Sequence, residues 1–501
     1  MTIGDLTETQ GVAHRAAPGK AGRVSPALAV ARKEWMELAR DSRWRALAGA
    51  TLLLMLASLA LGLLRLHRLD RQHRAAAEGD RRVWTAQGAK NPHSAAHFGQ
   101  YAFKPAGPLA VADPGIDEFA GNAIYLEAHR QNEAQFRSAR DGTLAARMGR
   151  LTLAFVLQVI LPLMAILLGF SAFTGERESG TLPQLLSLGV DPRDLLLGKG
   201  LAGGAVLLGL LTLAALGLGL GLAVFGPSNP VGPGEGLRLA GMFAAYALYL
   251  LGFLALSLAA SARARSSRAA LVGLLGFWLV NSFIAPRLAT DLARRAEPLP
   301  TGQEFRAAIA EAKKAQFGHD ESHPAFVAFR QRVLEQYGVD RAEDLPVSFR
   351  GLSLREDDEA GYRIFDEHHG RLAERIGRQD RARAAAGFVF PLLALQPVSM
   401  AMAGTDNRHH DTFVRAAEGH RRRIQTAASQ DLIDHARNGD LAYKAPADLW
   451  ETIPPFRYER PDAEAAFAPQ ATHFGMLAFW SAGCALLAWL SASRFRLSFG
   501  D

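Results

Sequence analysis

The chain has 501 residues, 49% of them hydrophobic and 21% charged, with a formal net charge of +7. Its arginines are dispersed and several flank apolar runs, the pattern of a membrane protein rather than of a nucleic-acid-binding surface. The lone cysteine, Cys484, lies inside an apolar run, which excludes an intramolecular disulfide.

Residues 1–25 are rich in Gly, Ala and Thr and read as disordered. The first apolar run begins only near Ala46, after a long polar lead without a cleavage site, so no signal peptide is expected. Over 26–45, Leu28, Val30, Trp35, Leu38 and Trp44 interleave with Arg32, Lys33, Glu37, Arg40 and Arg43. This pattern predicts an amphipathic helix in the membrane interface or a basic flank of the first span.

Six segments are long enough to span: 46–64, 151–173, 200–225, 239–260, 269–285 and 474–492. Gln158 and Pro162 in the second, and Asn281 in the fifth, interrupt the apolar runs; Gln158 and Pro162 are expected to satisfy neighbouring helices. The third span is glycine-rich, which predicts close helix approach and a central position. Loop 226–237 carries no Lys or Arg, whereas 261–268 carries Arg263, Arg265 and Arg268, and the tail 493–501 carries Arg494 and Arg496. The charge asymmetry puts both termini and the 174–199 loop in the cytoplasm.

The long regions 65–150 and 286–473 then fall outside the membrane on the far side. The first has a His/Pro/Gly-rich middle, with a helix expected over Asp117–Arg140. The second reads as helices over Thr301–Gln316, Ala325–Tyr337, Arg355–Ala384 and Asp406–Asn438. The apolar stretch 387–403 holds Pro391, Gln396 and Pro397 and reads as re-entrant or interfacial. Trp450, Pro454, Pro455 and Phe456 suggest packing where the region returns to the membrane. The fold class is therefore an all-α integral membrane protein, a six-helix bundle with two extracytoplasmic, mainly helical insertions.

The short polar stretch Phe173–Lys199 connects two spans. Thr181 and Gln184 stand at capping-box spacing, with Pro183 in the first turn. Leu182, Leu185 and Leu186 share a face, and Gly189 is a natural stop. Asp191-Pro192 opens the next helix, which runs into the third span. The result is a helical knob with a charged tip, Glu176, Arg177 and Glu178, or else a solvated loop.

No phosphate-binding loop is present: Gly198-Lys199-Gly200 lacks the earlier Gly and the following Ser/Thr. Zinc-protease and serine-hydrolase signatures are absent too. His368-His369 and His409-His410, with Asp406, Asp411 and His420, are weak metal candidates, because adjacent helical histidines diverge by about 100°. No catalytic or metal residue is assigned.

A basic interfacial helix, six spans and the loop sequence GERESGTLPQLLSLGVDPRDLLLGK together resemble the permease subunit of ABC-2 type ABC transporters. The large insertions, with PLLALQPVSMAMAGTDNRHHDTF before the last span, resemble the subgroup carrying a domain of unknown function there. The resemblance implies that 26–45 is the connecting helix and that the 174–199 loop couples to an ATPase. Glu176, Arg177, Glu178, Ser179, Gly180, Thr181, Leu182 and Leu185 would be the coupling residues. It further implies no cofactor on this chain, ATP being bound by two copies of a partner ATP-binding subunit. A dimer with itself or a paralogous permease, a bacterial inner-membrane location and an export function go with it; a periplasmic partner is compatible. Two other classes remain open on the residues: a membrane-anchored extracytoplasmic metal-binding protein or enzyme, and a mechanical relay that transports nothing.

Overall fold

The computed structural model describes residues 25–137, 151–226, 233–316, 320–438, 440 and 442–496. The readings for 1–24, for residues 227–232 of the 226–237 loop, for the end of the 117–140 segment and for the tail beyond 496 lie outside the described residues. Among the described residues, six helices are long and apolar enough to cross a membrane.

Helix α1 (Pro26–Arg40) starts with proline in its first turn and exposes Leu28, Trp35 and Met36. Asp41 then caps α2 (Ser42–Thr85), its carboxylate accepting from the Arg43 N–H at 2.8 Å. At 44 residues and about 66 Å, α2 outruns the first apolar segment and carries Trp84 well beyond it. Next come α3 (Pro92–Phe98), β1 (Gln100–Phe103), α4 (Asp117–Ala120), β2 (Ala123–Glu127) and β3 (Arg130–Gln131).

The strands form an antiparallel sheet in the order β1-β2-β3, with Gln100 opposite Leu126 and Phe103 opposite Ala123. This corrects the helix expected over Asp117–Arg140. The helix stops at Ala120 because Gly121 adopts φ +89°. There the chain passes so close to Gln135 that a Cβ would sit 2.5 Å from its carbonyl oxygen. Beyond that point Ile124 and Leu126 are buried while Tyr125 and Glu127 are half-exposed, a period of two.

The remaining elements are α5 (Leu153–Glu178), α6 (Thr181–Ser187), α7 (Pro192–Phe225), α8 (Pro233–Arg263), α9 (Ser267–Ala296), α10 (Gly302–Lys313), α11 (Pro324–Tyr337), α12 (Phe349–Ala385), α13 (Leu392–Ala403), α14 (Asn407–His435), α15 (Leu449–Thr452) and α16 (Ala463–Ser493). The bundle is centred on α8, where Tyr246, Tyr249, Leu250 and Phe253 are almost fully buried. Small residues permit this. A Cβ on Gly252 would lie 2.3 Å from the Trp480 ring, and one on Gly169 would lie 2.5 Å from the Ser257 Cβ. The glycine-rich α7 is not central within this chain: Leu213, Leu216 and Leu220 are exposed, and Gly209 and Gly219 meet no neighbour. Its close approaches are local, Gly221 to Leu63 and Gly198 to α1.

At 12 residues and about 18 Å, α13 is too short for a hydrocarbon core of about 30 Å. It is nonetheless buried in the bundle, with Leu392 to Leu395, Val398 and Ala401 to Ala403 nearly inaccessible. Arg238 of α8 caps its C-terminal end, donating to Ala401 O at 3.1 Å and to Pro461 O and Asp462 O at 2.6 and 2.9 Å. A buried polar seam holds the other face. Ser399 Oγ donates to Asp113 Oδ2 at 2.5 Å and meets Tyr246 Oη at 2.9 Å, and Tyr246 Oη accepts from Gln158 Nε2 at 2.9 Å. Asn281 accepts from Leu392 N at 3.2 Å while its amide donates to Tyr249 Oη. Gln158 and Asn281 both lie in π-helical turns, Val156–Ile160 and Val280–Ile284. They serve helix–helix satisfaction, as polar groups in an apolar bundle must.

At the other end of α2 the two insertions share one core. Trp84 and Ile124 of the first pack with Phe413, Ala417, Ile424 and Trp450 of the second. Trp84 and Trp450 meet edge-on at 5.8 Å, and each indole N–H is satisfied, Trp84 by Trp450 O and Trp450 by Gly88 O. The charged helices α12 and α14 lie side by side above it, tied by Tyr362 Oη to Gln425 at 2.9 Å and by Arg422 to Asp366.

Candidate functional site

The knob α6 projects from the end of the bundle that also carries α1. Its start is not the capping box expected from Thr181 and Gln184. The N-cap is Gly180 at φ +73°, and no side chain caps the helix. Thr181 Oγ1 instead turns back and bonds the Glu176 carboxylate and its carbonyl oxygen. The stop is as expected. Gly189, at φ +82°, donates to Leu186 O, and Val190 donates to Leu185 O at 3.2 Å, which closes the last turn. Asp191 caps α7 through the Arg193 N–H at 2.9 Å, with Pro192 in the first turn. Leu182 is buried in the main core, with Leu185 and Leu186 packed against it.

The charged triplet is not a free tip. Glu176 points inward to Lys199 Nζ at 3.2 Å and Lys33 Nζ at 3.8 Å, and Lys199 also meets Glu34 at 2.7 Å. Lys199 is itself buried. Glu176 and Lys199 thus bind α5, α7 and α1 into one cluster. Arg177 donates to Ser261 O and Ala264 O, both at 2.8 Å, satisfying the last carbonyls of α8. Glu178 accepts from Ser267 N and Oγ at 2.7 and 2.8 Å, placing a carboxylate at the N-terminus of α9. Ser261 Oγ in turn accepts from the Phe173 and Thr174 N–H groups.

Gly198 completes the arrangement. A Cβ there would lie 2.5 Å from Val30 Cβ and 2.8 Å from Ala27 O, so α1 rests on bare backbone of α7. What faces solvent overlaps the triplet only at Glu178: the exposed residues are Glu178, Ser179, Gly180, Pro183, Gln184, Ser187, Leu188 and Gly189, with Leu188 80% exposed. Lys33, Glu34, Lys199, Ser261 and Ser267 were not legible as site residues, because their partners lie on other elements. The one local signal was Lys199, a lone cation at the mouth of an apolar run.

The weak metal candidates do not gather. His409 Nδ1 meets Asp406 Oδ1 at 2.5 Å, and its Nε2 lies 3.4 Å from Arg238. His369 stands edge-on to Phe305 at 5.0 Å. Burial, with Lys104 and Arg137 nearby, pushes His410 down to about 4, and burial with Arg423 and Arg81 does the same to His420. Both are therefore neutral in the folded chain at pH 6.5, where unfolded histidine begins to take up its proton. Stability should fall as pH drops from about 6.5 to about 4, by of order 1–3 kcal/mol per histidine. Thermal unfolding of the full chain in detergent at pH 7.5 and 5 checks this; a higher midpoint at pH 5 would contradict it.

These observations define a multi-pass α-helical membrane protein whose bundle presents a braced knob at one end and a joint insertion domain at the other. Residues 28–317, more than half of the chain, match the family described as ABC-2 family transporter protein. The chain belongs to that family. Residues 302–459 match a domain of unknown function, DUF3526. A relative is the Probable ABC transporter permease protein NosY of Pseudomonas aeruginosa PAO1, 39% identical over 123 residues, 24% of this chain. The chain spans 43% of that relative's length.

Proposed function

We propose that the chain is the membrane subunit of an ABC transporter, driven by ATP hydrolysis on a separate ATP-binding subunit that docks on α6. The supporting observation is the bracing of the knob. Hydrogen bonds and ion pairs of Glu176, Arg177 and Glu178, at the end of α5 that leads into the knob, join it to α1, α7, α8 and α9, so a push on the exposed face of α6 moves the helix bundle rather than a loose loop. The docking face is Ser179, Gly180, Pro183, Gln184, Ser187 and Leu188, while Glu176, Arg177 and Glu178 act as the brace behind it. In this reading α1 and the knob are cytoplasmic, the insertion domain is extracytoplasmic, the membrane is the bacterial inner membrane, and two ATP-binding subunits serve a permease dimer. Movement of substrate is outward, guided by the insertion domain. The chain itself hydrolyses no ATP.

Replacing Leu188 with Glu puts a charge on the docking face without touching the brace. It should leave the stability of the chain, followed by thermal unfolding, unchanged within about 0.5 kcal/mol and lower copurification of the ATP-binding subunit at least about tenfold, the loss expected of a central apolar contact. Copurification equal to wild type would reject the docking face.

A further inference from the structure

A second constellation lies in the insertion domain. His93 and His97 stand one turn apart on α3, and His129 sits on the two-residue turn joining β2 and β3. One ligand atom from each lies within 4.8 Å of the others. We propose that these three imidazoles form a binding site for a first-row divalent metal ion, zinc in the first instance.

The geometry is that of a three-histidine site. His93 Nε2 and His97 Nε2 are 3.2 Å apart. Two nitrogens on a tetrahedral Zn²⁺, each bonded at about 2.0–2.1 Å, stand about 3.3 Å apart. The three rings converge, with centroids 4.7 to 5.2 Å from one another. His129 Nδ1 lies 3.1 Å from Asp358 Oδ1 on α12. A carboxylate at that ion-pair distance favours the proton on Nδ1 and so Nε2 as the metal-binding atom, the kind of support a ligating histidine receives. Three protein ligands leave a fourth position to water or an incoming group, and His97 is exposed, so the ion can enter from solvent.

The fold places these residues deliberately. Asn91 caps α3 through the His93 N–H and holds Tyr443 O with its amide, anchoring the helix to the second insertion. Ala128 N donates to Ala96 O at 3.1 Å, pinning the hairpin turn beside the histidine face of α3. Ala96, Ala128 and Ala428 fill the small space beneath. Lys313 of α10 donates to His129 O at 2.8 Å. His129 itself adopts φ +58°, a conformation that favours glycine, so a histidine there carries backbone strain. The ligands come from the first insertion and the orienting carboxylate from the second, so a bound ion would clamp the two together.

The test uses the full-length chain in detergent, without an affinity tag, stripped with chelator and titrated with Zn²⁺ alone. One ion per chain should bind with micromolar or tighter affinity and raise the thermal midpoint. His97→Ala, at an exposed position, and His129→Gly, which removes the imidazole while relieving the positive φ, should both fold. Each should lose at least about tenfold in affinity, and Asp358→Asn about 10–100-fold. With Cu²⁺ as a spectroscopic probe, the paramagnetic resonance of the wild type should carry nitrogen splitting from three imidazoles, reduced in either histidine variant. Sub-stoichiometric zinc uptake by the wild type, or unchanged affinity in both His97→Ala and His129→Gly, would overturn the proposal.

Discussion

Glu418→Leu should destabilise the insertion domain by about 3–5 kcal/mol, the cost of stranding a buried charge. Arg421 is 2% exposed and is held by Glu418 through two parallel bonds of 2.7 Å, from Nε and from Nη2. Its other support is weaker: Gln425 at 3.0 Å, Glu127 O at 3.5 Å, and the faces of Tyr362 and Phe365. Glu418 also takes Arg422 Nε at 2.7 Å, so its loss loosens the α12–α14 pairing as well. The pair as a whole need not stabilise, since desolvating both ions offsets their attraction. The double variant Glu418→Leu, Arg421→Met should therefore recover most of the loss. Thermal unfolding and limited proteolysis of the full chain measure both; a double variant no better than the single would show that the ion pair itself holds the domain.

Glu176→Lys should have the second large effect, and its cause differs from that of a docking mutation. The substitution sets a third cation beside Lys33 and Lys199 and leaves Glu34 and, at Lys33, Glu37 to answer them. Thr181 Oγ1 loses its carboxylate partner as well. The cluster is partly exposed, so the cost is of order 2–3 kcal/mol rather than that of a fully buried pair. Helix α1 should loosen rather than detach, because the Lys199–Glu34 ion pair and the contact of Val30 and Ala27 with Gly198 still hold it to this part of α7. Protease access to α1 and the thermal midpoint should both change, and binding of the ATP-binding subunit should fall with them. Lys199→Glu added to Glu176→Lys should not restore the wild type, because it places a second acid next to Glu34. A Glu176→Lys chain with normal stability but no partner would show that Glu176 touches the partner directly.

The membrane helices were legible because hydropathy and length suffice to identify them. The Gly189 stop and the Asp191-Pro192 start were legible because capping is local chemistry. What escaped was non-local. The charged triplet suggests solvent by composition, but its partners lie on α1, α7, α8 and α9, none of them within a helical turn. The Thr181 capping box failed because Gly180 entered the left-handed region and freed the hydroxyl to bond backward. The sheet escaped because its residues, including Ala123, Leu126 and Glu127, are good helix formers; pairing with β1 and burial under α14 override that preference. That error also hid His129, whose place on a hairpin turn brings it to His93 and His97. The glycines of α7 suggested a central helix, whereas those of α5 and α8 make the closest approaches around the bundle centre.

On the proposed reading, the exposed face of α6 meets an ATP-binding subunit. Cys484, the lone cysteine, is buried, so a Leu188→Cys chain offers one accessible thiol. A short thiol-reactive photo-crosslinker attached there should join the chain to the ATP-binding subunit in native membranes, with no such product from Leu213→Cys on the exposed side of α7. A crosslink from Leu213 and none from Leu188 would show that the ATP-binding subunit does not sit on α6.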